Sequence, residues 1–236
     1  MSAMATHERK ATERGERRTS RWSTKRIRQA GLTAIVGGAL SAVYPVGELV
    51  FEFGPPGTPG YETYLRFITP VPLLLLLLLV GVLGLYAHVK DTYTLGRLGR
   101  FGVGVLVAGY ALEIVGNLVE VWVAGATPAA VLGGNVHLLT LFGLLMELVG
   151  ASLFGVALLR QTAVPRLGAG LLAVALPAGI GGGVALVLAG LDEALFFAFM
   201  FPIGLGLVVL GYHLRSETNE AVGELMPVDE QEVQAR

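Results

Sequence analysis

The chain has 236 residues, of which 53% are hydrophobic and only 15% charged, where soluble domains carry about 25% charged residues. Its formal net charge of −1 averages a basic front end and an acidic back end, with a middle nearly free of charge. That segregation excludes an ordinary soluble domain, and the absence of cysteine excludes disulfides, thiolate metal sites and cysteine nucleophiles.

Residues 1–28 read as a basic, mostly disordered cytoplasmic tail, because no apolar run precedes the first long hydrophobic stretch. Within it, "RRTSRWSTKRIRQ" suits contact with anionic lipid headgroups, at about 1 kcal/mol per basic residue. The same run supplies an orientation signal. It is short and holds only Trp22 as an aromatic, which argues against nucleic-acid binding.

About 20 apolar residues cross the roughly 30 Å of a bilayer's hydrocarbon. Six stretches qualify, near 29–51, 67–89, 100–124, 136–159, 167–190 and 194–214. The expected fold is therefore all-α, a polytopic integral membrane protein with a six-helix transmembrane domain over 29–214 and an acidic cytoplasmic tail over 215–236. An even count puts both termini on one side. Of the 17 basic residues, all but Arg66 then fall in the tails or in the loops on that same side. The positive-inside rule makes that side cytoplasmic and the compartment the cell membrane. "FGPPGTPGYETY" reads as the longest outer loop, with Tyr61, Tyr64 and Trp122 in an aromatic belt.

The odd spans begin alike. Gly31 and Gly38, Gly102 and Gly109, and Gly168 with Ala175 share a seven-residue spacing. The even spans each carry glycine shortly before a terminal Lys or Arg. Three repeated helical hairpins describe this; so does the general recurrence of small residues and terminal bases in membrane helices. In span two, the Leu73 to Leu79 run shows no distinguishing face and reads as lipid-facing. In span five, Ala175, Gly179 and Gly183 have small-xxx-small spacing, which suits close packing within the chain or a homo-oligomer seam. Pro177 and Pro202 should kink spans five and six.

Polar residues concentrate in spans one, three and four. Glu113, Asn117 and Glu120 share a narrow sector of span three, with Tyr110 beside it. Ser41, Tyr44, Glu48 and Glu52 form a stripe in span one, where Pro45 allows a bend. Thr140 and Glu147 share a face of span four, with His137 to one side. A charged residue at a helix centre costs about 2.5–3.5 kcal/mol on insertion scales. Glu113 and Glu147, expected near the middle of the membrane, should therefore turn inward and share a proton, bind a cation or substrate, or bond neighbouring helices. Together with Tyr44, Glu48, Thr140 and His137 they are expected to enclose an outward-facing polar pocket between spans one, three and four. Glu52 reads instead as reaching the headgroups.

His137, Glu147, Glu113 and Glu120 offer nitrogen and oxygen ligands of the kind that Zn²⁺, Fe or Mn accept. The chain's four histidines are fewer than a membrane metallohydrolase needs, and HExxH, GxSxG and Walker patterns are absent. His88 and His213 lie at cytoplasmic helix ends, where paired haem ligation competes with ordinary snorkelling. No lysine lies within a span, which excludes a retinal Schiff base. No cofactor is implied.

The stretches "LFGVALLRQTAVPRLGAGLLAVALPAG", "YAHVKDTYTLGRLGRFG" and "GLVVLGYHLR" resemble an uncharacterised prokaryotic six-transmembrane-helix family of unknown function. The resemblance covers about residues 30–215 and implies a fold without an activity. Three functions stay open at this point: a small transporter or channel-like protein, a non-catalytic membrane subunit that binds a partner, and an intramembrane metalloenzyme.

Overall fold

The computed structural model describes residues 24–54, 57–92, 95–124, 137–161, 164–191 and 195–224. All regular structure among them is helical. Helix α1 is Thr24–Val43, α2 Val46–Val50, α3 Pro59–Ile68, α4 Val71–Thr92 and α5 Arg97–Val119, which runs on into a wide π turn at Glu120–Ala124. Helix α6 is His137–Leu159, α7 Arg166–Ala173, α8 Ala175–Leu188 with a π turn at Ala178–Gly182 inside it, and α9 Leu195–Glu224. Five continuous helical stretches are long and apolar enough to cross a membrane, and six when the bent pair α7 and α8 counts as one.

These six stretches lie side by side in chain order, each antiparallel to the next, and the last returns to the first. α1 packs on α4, α4 on α5, α5 on α6, α6 on α7, and α7 on α9; α9 then closes the ring against α1. α4 and α9 also touch across the middle. A ring of this kind brings the basic helix ends (Lys25 and Arg28, Lys90, Arg97 and Arg100, Arg160, Arg166, Arg215) to one end of the bundle, called here the basic end. Arg66 belongs to the opposite end.

Helices this apolar would gain little from burial within a membrane, where close backbone approach is what holds helices together. Glycine provides that approach. A Cβ added at Gly38 would lie 2.5 Å from the Gly204 carbonyl oxygen, and one at Gly31 2.9 Å from that of Gly211, so α1 and α9 meet backbone to backbone. Gly81 meets Ala34 in the α1–α4 seam, and Gly155 meets Ala169 and Ala173 where α6 meets α7. The heptad glycines therefore serve different neighbours: Gly31 and Gly38 face the last helix, while Gly102 and Gly109 face the next one.

Four expectations change. The stretch after Thr58 is not a loop: Thr58 caps α3 by accepting the Tyr61 amide at 3.4 Å, Pro59 stands in the first turn, and α3 leads into α4 as one span, Pro59–Lys90. Helix α9 continues to Glu224, through the start of the expected acidic tail. The leucine run does have a face: Leu74, Leu75 and Leu78 are buried with Val71, Val82, Leu85 and Val89 at helical spacing, while Leu73 and Leu76 are exposed. A run of one residue type hides its own periodicity, and only the neighbours reveal it. Span one is the fourth case. Its main neighbours are α4 and α9 rather than spans three and four.

The proline expectations separate. Pro202 sits inside an unbroken α9, whereas the fifth span bends by 46° between α7 and α8, just before Pro177. There the Leu176 amide donates to the Ser152 hydroxyl at 2.8 Å, a side-chain partner for backbone that the bend disturbs. The bend opens an apolar groove of about 420 Å³ between α6, α8 and α9, lined by Leu141, Leu145, Leu148, Ile180, Val184 and Phe199 among others.

The glycine seams give a direct test. Gly38→Ala should lower the thermal unfolding midpoint in detergent, by the equivalent of about 1–3 kcal/mol for overpacking a tight site. Gly104→Ala, whose Cβ would meet nothing within 4 Å, should be neutral or gain about 0.5–1 kcal/mol from helix propensity. Equal effects would show that backbone contact is not what the seam supplies.

Candidate functional site

The tightest seam in the bundle joins α5 to α6, and the large residues of each helix face a glycine of the other. Gly102 lies against Leu153 and Phe154, Leu106 against Gly150, Gly109 against Glu147, Glu113 against Gly143, and Gly116 against Thr140. Along α5 these positions step by four and three residues in turn, which keeps them on one face. A Cβ at Gly109 would sit 2.7 Å from the Glu147 amide nitrogen, and one at Gly143 2.5 Å from Cγ of Glu113. The Glu113 side chain thus occupies the space that Gly143 leaves, and Gly109 lets α5 reach the backbone of α6 at Glu147.

Both carboxyls are consequently buried, Glu113 at 1% exposure and Glu147 at 0%, and they lie beside each other and the buried Tyr110 hydroxyl. The Tyr110 hydroxyl, Glu113 Oε1, both carboxyl oxygens of Glu147 and Thr140 Oγ1 are buried and complete no hydrogen bond of good geometry, although Tyr110 and Glu113 both lie within interaction reach of Glu147. A buried polar group left unmatched costs about 1–3 kcal/mol. Five such atoms approach the whole net stability of a typical domain, about 5–15 kcal/mol. A proton shared within the group, or a ligand bound to it, would relieve that cost.

The remaining residues of the stripe behave differently. Asn117 is buried, but its side-chain amide donates to the Glu113 carbonyl at 2.9 Å, one turn back on its own helix, instead of crossing to α6. Glu120 opens the π turn and accepts the Tyr64 hydroxyl at 2.9 Å, which links α5 to α3. Tyr44 stacks on Phe67 with ring centres 4.3 Å apart and donates to the Phe67 carbonyl at 3.3 Å. Half-buried Glu48 lies beside Tyr44, and Tyr44 beside Tyr64. Glu52 and Trp122 are exposed, and Tyr61 stacks near Tyr64 at 6.0 Å between ring centres. The side chain of His137 lies outside the described residues.

The polar residues therefore form two groups rather than a single pocket walled by spans one, three and four. Tyr110, Glu113 and Glu147, with Thr140 further along the seam, belong to spans three and four alone. Tyr44, Glu48, Tyr64 and Glu120 tie spans one, two and three together nearer the end opposite the basic one. Span one is kept from the first group because its glycine face is taken up by α9. Among the described residues no cluster of three or more His, Asp or Glu is placed to hold a metal.

At the basic end the structure assembles a group that the sequence leaves scattered. His88 Nε2 lies 2.8 Å from Glu217 Oε2, and His213 Nε2 lies 3.2 Å from Glu217 Oε1. Both imidazoles thus engage one carboxylate, which clasps the ends of α4 and α9. The four-residue step from His213 to Glu217 is the available signal, and ending span six at 214 conceals it. Gly143 is the other omission: a glycine four residues before Glu147 marks where the opposing carboxyl goes.

No family model, curated protein or solved structure matches the chain. The site stands on its own geometry.

The two polar groups should respond oppositely to loss of a hydroxyl. Tyr64→Phe removes a formed interhelical bond and should lower the thermal midpoint by the equivalent of about 0.6–2 kcal/mol. Tyr110→Phe removes a hydroxyl without a partner and should leave stability unchanged or raised. A comparable loss for both would mean that Tyr110 also serves as a structural bond.

Proposed function

We propose that this is a multi-pass cell-membrane protein, a small transporter whose Glu113–Glu147 pair takes up and releases protons or cations. One observation carries the reading: two carboxyls and a tyrosine hydroxyl, fully buried between two helices, face one another without completed hydrogen bonds. Polar residues that merely hold membrane helices together form bonds between them, as Tyr64 and Glu120 do. The Glu113–Glu147 group has the burial of such residues and lacks the bonds. Intramembrane carboxyls with those properties mark ion and proton sites.

The basic helix ends support a cytoplasmic side for both termini by the positive-inside rule. From the carboxyl pair toward that end, the seam is apolar and closed by Leu106, Phe154 and Leu158, each at 0% exposure. That seal supports a carrier, which exposes its site to one side at a time, over an open channel. Toward the opposite end the same seam continues through Thr140, Asn117 and Glu120. Repetition of three hairpins is consistent with the closed ring. A second reading, a membrane subunit that binds another protein's helix, has the apolar groove between α6, α8 and α9 in its favour.

Purified full-length protein in liposomes, with a pH-sensitive dye inside and an imposed ion gradient, should show flux that Glu147→Gln reduces to background while the variant remains helical and monodisperse. Wild-type protein without flux of protons, Na⁺ or K⁺ would remove the transporter reading and leave the subunit.

A further inference from the structure

Resting on the reading of Glu113–Glu147 as an exchange site, we infer that what it exchanges is the proton, with Tyr110 as the relay, and that metal and alkali cations are excluded. The donor set is the first reason. A bare hard cation needs about six or more oxygens. Tyr110, Glu113 and Glu147 together own five side-chain oxygens. Membrane cation sites make up the number from carbonyls freed where helices unwind. Here α5 runs helical from Arg97 to Val119 and α6 from His137 to Leu159, so the carbonyls around the pair are spent within the helices. The π turn of α5 begins only at Glu120, two turns beyond Glu113.

Space gives the second reason. A Cβ at Gly109 would lie 2.8 Å from the Gly143 carbonyl oxygen, and one at Gly143 2.9 Å from that of Gly109 and from the Glu113 amide. The helices are in backbone contact at the level of the carboxyls, which leaves no place for an ion carrying hydration water. A proton needs no shell.

Charge balance is the third. Elements packed on α5 and α6 bring no base to the pair. Span two has no titratable residue between Arg66 and Tyr86, span five none between Arg166 and Asp192, and span six none between Leu195 and Gly211. On α3, Tyr64 is directed to Glu120, and among the described residues nothing else titratable on α5 or α6 acts on the pair beyond Tyr110, Glu113 and Glu147. Two adjacent buried carboxylates without a cationic partner must bind a positive charge from outside. With one proton on the pair, the O–H bond of one carboxyl breaks as an O–H bond to the other forms. Tyr110 relays it by donating its own hydroxyl hydrogen to the carboxylate while it accepts the hydrogen of the carboxylic acid. Total charge is unchanged throughout.

Infrared difference spectra of the full-length protein in lipid vesicles, acid minus alkaline over about pH 4 to 10, read the carboxylic-acid C=O stretch directly and need no transport. The expected result is a titrating buried-acid band that Glu113→Gln and Glu147→Gln each remove or shift, that Tyr110→Phe shifts, and that Na⁺, K⁺ and Mg²⁺ leave unchanged. A band in the wild type that any of these cations suppresses at fixed pH would overturn the inference in favour of a cation site, and this arm requires no variant to fold. A wild type without a titrating buried-acid band would overturn it as well. An intact, cation-insensitive band in protein that shows no flux would sink the transporter reading alone and leave the proton site standing.

Discussion

The contact between α5 and α6 is the constraint from which the rest of the site follows. Two helices joined by residues of ordinary size keep their axes about 8–10 Å apart, and glutamates between them would have to turn aside. Placing Gly109 opposite Glu147 and Gly143 opposite Glu113 lets the backbones touch and lays the Glu113 side chain over Gly143 of the partner helix. The carboxyls then meet because there is nowhere else for them to go. Close packing, which in an apolar medium is the main source of helix affinity, is here the same feature that forces two acids together. The seam is at once the adhesive and the strained element, and the glycines that stabilise it make the burial of the acids obligatory.

Closure of the ring decides which side of the seam is wet. Leu78, Val82, Leu106, Phe154, Leu158, Leu207 and Leu210 fill the interior with negligible exposure, and the α1–α9 glycine contacts shut the last gap between first and last helix. The carboxyls thus lie against a dry core on the side of the basic end, and against polar side chains of their own helices on the other. The His88–Glu217–His213 clasp sits beyond the core, joining α4 and α9, the two helices that also touch across the ring. The fifth span, bent by 46° and carrying a π turn, is the least regular of the six, and it packs on α6 directly behind the seam.

Much of the architecture was legible because it rests on period and composition. Span number follows from apolar length, and burial of Glu113 and Glu147 follows from the penalty on charge at a helix centre. What escaped depends on pairing between distant segments. Tyr44 and Glu48 look like members of the same stripe as Glu113, since all are acids or tyrosines on helices of equal rank. Only the docking of α1 on α9 through Gly31 and Gly38 separates them. The leucine run concealed a face because identical residues carry no contrast. Glu217 was lost by ending a helix where the apolar residues stop, although α9 continues for nine residues past Arg215 on polar sequence. A chain element's boundary is set by hydrogen bonding; apolar length reports only the part of it suited to lipid.

Two carboxylate environments in the same bundle supply the decisive contrast. Glu120 is buried at 3% exposure, comparable to Glu113, yet receives the Tyr64 hydroxyl at 2.9 Å. Glu113 and Glu147 lie beside the Tyr110 hydroxyl, but no bond of comparable geometry is completed among them. Burial alone therefore does not separate the two kinds of acid in this protein; hydrogen-bond geometry does. A bonded acid is held in one arrangement by its donor. A pair without a fixed donor has several arrangements of similar energy, differing in which oxygen holds the proton, and the proposed exchange of protons would draw on that near-equality. Glycine, rather than a base or a fixed donor, sets the position of the pair.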